Sequence, residues 1–416
     1  MATSTGIFNT SQFTQDLAKK SFSSMITRLM PNGSAPLFGI SSMLGTENAV
    51  QWEHGFFTKT MVFPALEITS SIDNSQTTLT VDSTENLLPG QLHQFFETKE
   101  IVLINQVLSA TQISVVRGIG GGATAITLGG TVVPNAYQVG NAYEEASLRP
   151  NALAINPVRI TNLTQIFRNT WAISGSAEQV QVIAGKSTDA ENKQDCAMFH
   201  ATAIESALLF GKKSQGTRNG QPFRTMDGLI NIVGNIAYYP PTYSVPNVYT
   251  ALSTGTDATM LEDMLDPCFD QTTDPKIGNR RILFVGGKAL RVINQIAMLN
   301  GEYELVDGQT NWGLRFKTLT FARGTFDLIE HPLFNTNPYW AKMAVALDVS
   351  SFKIAYLGNR KTQEKSFNTQ GQVAQDNGID AIGGTLTTEC TCEVKNPPAN
   401  AIIYNLTAAL KNGETP

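Results

Sequence analysis

Charge is the scarcest ingredient of this chain. Asp, Glu, Lys and Arg make up 16% of its 416 residues, against roughly 25% in an ordinary soluble chain. A surface this short of charge suits a subunit whose faces are covered by neighbours, because interface cores are depleted in Lys and Glu. The bland alternative is a monomer whose polarity comes from Thr, Asn and Gln. No stretch is polybasic, and the formal net charge is −5 with a pI near 5.5. Gripping phosphates needs clustered Lys or Arg that release counterions, so the chain is not built to hold nucleic acid tightly.

Reactive side chains are equally few. The four cysteines are Cys196, Cys268, Cys390 and Cys392. Such a count gives no disulfide framework and points to a reducing compartment. Cys390 and Cys392 would share one face of a strand, but no His or second Cys pair lies near them to complete a zinc site. The four histidines, His54, His93, His200 and His331, fall in no metal-binding spacing. No Ser sits in a G-x-S-x-G elbow. The pairs Asp263/Asp266 and Glu302/Glu304 read as solvated carboxylates. No catalytic, cofactor-binding or metal-binding constellation emerges. Gly118-Ile-Gly-Gly-Gly-Ala formally fits G-x-G-x-x-A. A dinucleotide site needs a helix directly after it. Residues 124–134 have β texture instead, so a flexible hairpin loop is expected. Gly286-Gly287-Lys288 has too few glycines for a P-loop and reads as a tight turn. No window nears 18 unbroken apolar residues, and the start lacks a secretory signal's basic and apolar regions. No membrane role is expected, and the chain reads as cytoplasmic until it assembles.

The features that are present are architectural. Residues 165–176 carry β-branched and aromatic side chains and read as an extended ribbon running on to about residue 183. A long helix is expected from Thr188, with Glu191 three residues on as a capping box and Gly211 as its stop. Before the ribbon, residues 68–142 read as a small β module, with strands near 77–82, 100–105 and 112–117 between turn residues. Earlier still, Gln12–Met30 has the 3.6-residue apolar period of an amphipathic helix. After the long helix the texture turns α/β. Thr259–Phe269 reads as a helix, Arg281–Val285 as a buried strand and Lys288–Leu299 as a helix. Further strands are expected at 319–322, 325–330, 342–348, 353–357 and 384–394.

The order of these elements resembles the major capsid proteins of tailed bacteriophages with the HK97-like fold, and more narrowly the SU10-type major head proteins. The likeness is carried by Thr161 through Ser176, by the helix from Thr188, and by Arg281-Ile-Leu-Phe-Val-Gly-Gly-Lys-Ala-Leu. It implies an α+β capsid fold with a small all-β insertion domain. The implied parts are an N-terminal arm at 1–45, an extended loop at 46–67 and 143–175, and the insertion at 68–142. A peripheral domain at 176–224 and 346–416 would hold the spine helix 188–211, and 225–345 would form the axial domain. The implied function is a non-enzymatic major head protein that self-assembles, as pentamers and hexamers, into the icosahedral shell of a virion around double-stranded DNA. The DNA would be faced non-specifically, and assembly would take place in the host cytoplasm. A separate scaffolding protein, a portal and decoration proteins are the implied partners. Arg149, Arg159, Arg168 and Trp171 are the candidate inter-subunit contacts, since the extended ribbon suits strand addition or draping over a neighbour. Two rivals stand beside this reading. A tail or decoration protein would be suggested by the β module, but a decoration protein should be short and mostly β. An α/β enzyme built around Arg281–Leu299 should cluster titratable residues at strand ends.

Overall fold

The computed structural model describes residues 36–43, 45–59, 65–128, 135–152, 157–180, 188–239, 243, 245–271, 279–300, 306–307, 317–367 and 381–411. The helix expected at Gln12–Met30 lies outside the described residues. The chain divides into two compact units: Phe57–Val158, and a larger one made of Met1–Phe56 with Arg159–Pro416.

In chain order the elements begin with α1 (Pro36–Met43), β1 (Thr46–Ala49) and β2 (Glu53–Thr58). The smaller unit holds β3 (Ala65–Glu67), β4 (Thr78–Thr80), β5 (Gln91–Phe95), β6 (Ile101–Ser109), β7 (Gln112–Val116) and β8 (Asn135–Asn141). The chain then runs through β9 (Val158–Leu163), β10 (Gln165–Ser174), α2 (Gly175–Gln179), α3 (Thr188–Phe210), β11 (Ser214–Arg218), β12 (Gln221–Thr225) and α4 (Leu229–Val233). An α/β stretch comes next: β13 (Val248–Thr250), α5 (Ala258–Leu265), β14 (Arg280–Val285), α6 (Gly287–Asn300), β15 (Val306–Asp307), β16 (Lys317–Thr320), β17 (Thr325–Glu330) and β18 (Ala344–Leu347). The last strands are β19 (Phe352–Leu357), β20 (Gln363–Phe367), β21 (Ala381–Val394) and β22 (Ala401–Tyr404).

Seven strands form the central sheet of the larger unit, in the order β13-β22-β18-β14-β17-β16-β15. Its middle strands are apolar on both faces because both faces are covered. Leu283, Val285, Ala344, Ala346 and Ile403 pack toward α5 and α6, where Leu261, Ala289, Val292, Ile293 and Ile296 meet them. Phe284, Val345, Leu347 and Ile402 point the other way, into a core shared with α3 and α4. This alternation is why the runs Ile282-Leu-Phe-Val and Ala344-Val-Ala-Leu read as unbroken hydrophobic stretches. The 346–416 segment sends β22 back into this sheet, between β13 and β18.

The second sheet runs β1-β19-β21-β10, with β20 also paired to β21. β10 and β21 are antiparallel in unbroken register from Gln165↔Cys390 to Ser174↔Ala381. α3 lies across them. It ends at Gly211, where a side chain would come within 2.5 Å of the Ala207 carbonyl and 2.7 Å of the Met226 carbonyl. The ribbon stops being extended sooner than expected. The Ser174 hydroxyl accepts the Ala177 N–H at 3.3 Å, and this N-cap starts α2.

In the smaller unit the strand order is β3-β8-β5-β6-β7-β4. Leu66, Leu79, Phe95, Val102, Ile104, Ile113 and Val115 form its core. β5 and β8 carry no sequence signal, since β5 buries Gln91 and His93 where alternation would demand apolar side chains. The glycine-rich turn is tied down rather than free. Glu100 accepts the Gly118 N–H at 3.1 Å and the Thr124 N–H at 3.0 Å. Arg117 binds both carboxylate oxygens of Glu100, at 2.6 and 2.7 Å, and the Thr124 carbonyl at 2.7 Å. Burial would raise the Glu100 carboxyl, but the Arg117 hydrogen bonds and then the backbone donors outweigh it and hold it below its usual range. Two of the loop's donors, at its start and end, are therefore filled by the protein's own carboxylate.

Candidate assembly surface and its internal clamps

α3 carries the polar groups that fasten this half of the molecule together. Cys196, His200, Ile204 and Leu208 succeed one another at i+4 and are buried, so they face the sheet. Trp171 of β10 packs with Cys196 and Leu386. Its indole fits because residue 384, opposite it in register, is glycine; a Cβ there would stand 3.0 Å from Nε1. His200 bridges two strands, with Nδ1 2.9 Å from Asn169 Oδ1 and Nε2 2.7 Å from Thr388 Oγ1. Burial lowers its imidazole below the ordinary value. A neutral ring donating from Nδ1 to the amide oxygen and accepting from the threonine hydroxyl satisfies both contacts.

Nearer its end, α3 buries Glu205 completely. One carboxylate oxygen accepts the Leu37 N–H at 2.8 Å, and the other accepts the Phe38 N–H at 2.7 Å. His331 Nε2 lies 2.7 Å from the first. The carboxylate thus serves as the anion at the N-terminus of α1, satisfying donors that a helix cannot satisfy internally. His331 is stacked on Phe334 and edge-on to Phe284, so the clamp joins α1, α3 and the turn after β17.

β21 divides its side chains by parity. Cys390, Cys392 and Val394 enter the apolar core, while Glu389 and Glu393 point to the opposite face and are buried there. Glu389 accepts the Thr164 hydroxyl at 3.0 Å and meets Arg360 at 2.9 Å and Arg224 at 3.7 Å. Glu393 is paired with His54 and Lys395. For Glu393 burial is the larger influence, but His54 and then Lys395 together hold the carboxyl below its usual range. All four cysteines are free thiols and buried. Burial pushes Cys390 up to about 12, far from a reactive thiolate. Among the described residues no three His, Cys, Asp or Glu side chains gather as a metal site. Asn335 Oδ1 caps the start of α6 by accepting the Gly287 N–H at 2.7 Å, so that helix end holds a side-chain amide.

The four candidate contacts are placed differently. Arg149 is exposed in the smaller unit; Arg159 on β9 and Arg168 on β10 are exposed in the larger one. Trp171 shares β10 with Arg168 but has the opposite parity, so it packs inside its own subunit. Sequence reasoning missed Glu205, Glu389 and Glu393. Glu205 did leave a trace, as an acidic residue between Ile204 and Leu208 on the apolar stripe of α3.

These polar groups are spent on joining elements to one another, and the elements keep the HK97-like capsid order: ribbon with inserted β unit, long helix, α/β layer and closing strands. The chain belongs to the SU10 major capsid protein family, whose model matches residues 3–407. It is 33% identical, over 98% of its own length and 97% of the relative's, to the major capsid protein of Pseudomonas phage PaMx41. Solved structures give weaker likenesses. A chain of Mycobacterium phage Patience is 14% identical with a TM-score of 0.44, over 66% of this chain and 79% of that one. A capsid chain of a native GTA particle is 9% identical with a TM-score of 0.47, over 96% and 98%.

Proposed function

We propose that copies of this chain associate laterally, as pentamers and hexamers, into the closed icosahedral shell of a virion that encloses double-stranded DNA, in a structural and non-catalytic role. The observation that carries this is the end-to-end likeness to a phage major capsid protein. The low charge content supports it, because a subunit with several neighbours buries several patches of roughly 1,600 Å² each. We assign 1–45 to an arm, 46–67 and 143–175 to an extended loop, 225–345 to the axial region, and 176–224 with 346–416 to the peripheral region. Arg149, Arg159 and Arg168 are the proposed inter-subunit cations. A scaffolding protein, a portal and decoration proteins are the partners such assembly calls for. DNA is faced without sequence preference, in keeping with the absence of a polybasic stretch. Assembly belongs to the host cytoplasm. The test is negative-stain microscopy of the expressed full chain, alone and with a co-expressed scaffold. Shells or hexamers are expected; uniform small particles under both conditions would overturn the reading.

A further inference from the structure

β10 is an edge strand of ten residues. Its inner side pairs with β21 along its whole length, and among the described residues no strand is paired with its outer side, although β12 comes close to it near Gln165. Natural edges of that length are usually blunted by proline, lysine, bulges or shortness. β10 has no proline and no break in register, and its one charge is Arg168. The residues exposed along it are Ile166, Arg168, Thr170, Ala172 and Ser174.

A second observation falls on the same side. Asn192 of α3 donates to the Ala172 carbonyl of β10 at 2.9 Å, whereas Lys193, one residue on, reaches Glu364 of β20 at 2.8 Å. β10 and β20 flank β21 on opposite sides. Residue 192 therefore marks the flank of α3 that overhangs the open edge. Phe199 lies seven residues on, within about 20° of Asn192 around the helix, and is 67% exposed. Neighbouring His200 bonds Asn169, which places Phe199 abreast of the middle of β10.

We infer that the outer edge of β10 pairs with the same edge of a second copy of this chain, antiparallel about a two-fold axis at Thr170, with the two Phe199 rings meeting above it. The register is centred on Thr170, at the middle of β10 and abreast of Phe199. Thr170 faces Thr170 of the second copy, Arg168 faces its Ala172, and Ile166 faces its Ser174. No like charges stand opposite each other, and the central pair is Thr–Thr, a favourable cross-strand combination. The contact is isologous, so one surface patch serves both partners and closes on itself. The inference rests on the shell-forming reading above and names one of its contacts.

The experiment introduces Thr170→Cys and, separately, Phe199→Cys into the full chain. Shells are assembled with scaffold and oxidised, and the linked peptides are identified by mass spectrometry. The native cysteines are buried, so background linkage is low. The expected result is a covalent dimer joined at position 170 to 170, or 199 to 199, in intact shells. Paired strands hold directly opposed Cβ atoms within about 4.5–5.5 Å, close to the reach of a disulfide. Phe199→Asp should cut shell yield at least tenfold without lowering the melting temperature of the subunit. Intact shells with neither symmetrical link overturn the edge pairing while leaving the shell reading in place. In a parallel sample the thiol introduced by Thr170→Cys is labelled with a photo-crosslinking maleimide instead of being oxidised, and capture of residues 1–35 in assembled shells overturns the edge pairing in favour of the chain's own arm as the occupant. A chain that stays monomeric under all assembly conditions overturns both readings.

Discussion

Glu205 offers the sharpest test of how this subunit is held together. Its carboxylate is fully buried and accepts three donors: the Leu37 and Phe38 amides and His331 Nε2. Glu205→Gln keeps one acceptor oxygen but turns an NH2 group toward the Phe38 N–H, donor against donor. An unsatisfied buried donor costs about 1–3 kcal/mol, so this change should cost roughly 2 kcal/mol. Glu205→Ala strands all three donors and removes volume, and should cost about 3–5 kcal/mol, since each stranded buried donor costs about 1–3 kcal/mol and the lost volume adds to it. The assay is urea unfolding of the unassembled subunit, read alongside hydrogen exchange at the Leu37 and Phe38 amides. Those two amides should exchange faster in Glu205→Gln, with the Phe38 amide affected more. If both variants keep the wild-type midpoint and both amides remain equally protected, the clamp is not what fastens α1, and apolar packing of Leu37 does that work instead.

Acid should weaken the fold through its buried imidazoles. Burial holds His93 and His200 below their ordinary value in the folded chain. The unfolded chain takes up their protons first, as pH falls through about 6.5. Stability is therefore full above that pH and declines below it, and His200→Gln should flatten the decline in urea midpoints measured between pH 7.5 and 5; an unchanged slope would remove His200 from the account. In the smaller unit, Arg117→Leu leaves Glu100 buried without its cation, and a loss of about 3–5 kcal/mol is expected, seen as faster exchange at Gly118 and Thr124. Trp171→Ala should cost roughly 3–5 kcal/mol as a core cavity, measured by thermal melting, and a surface-sized effect would mean the indole is not packed as described. Arg168→Glu reverses an exposed charge, so the monomer's melting point should hold while shell assembly falls; intact shells at wild-type yield would refute a contact role.

The long helix, the ribbon and the buried strand at Arg281–Val285 were legible because each repeats a simple period, and tertiary packing respects that period. α3 begins at Thr188 and stops at the glycine expected to stop it, where two carbonyls leave no room for a side chain. Other features escaped because their physics is not periodic. β5 buries Gln91 and His93, so its alternation looks polar on both faces. In the sequence the ribbon looks free, which makes Trp171 a candidate contact; once β21 pairs along its whole length, parity decides which side chains turn inward, and Trp171 falls on the inner set with Phe167 and Ile173. The same parity turns Glu389 and Glu393 away from Cys390 and Cys392. Those carboxylates stay buried because Arg224, Arg360 and His54 come from other parts of the chain to meet them, joined by Lys395 two residues beyond Glu393. A sequence reports such a pair only after the fold has chosen which strands are neighbours. The scarcity of charge has its sense here: many of the carboxylates and cations present hold one segment to another, and the exposed row of β10 carries a single arginine.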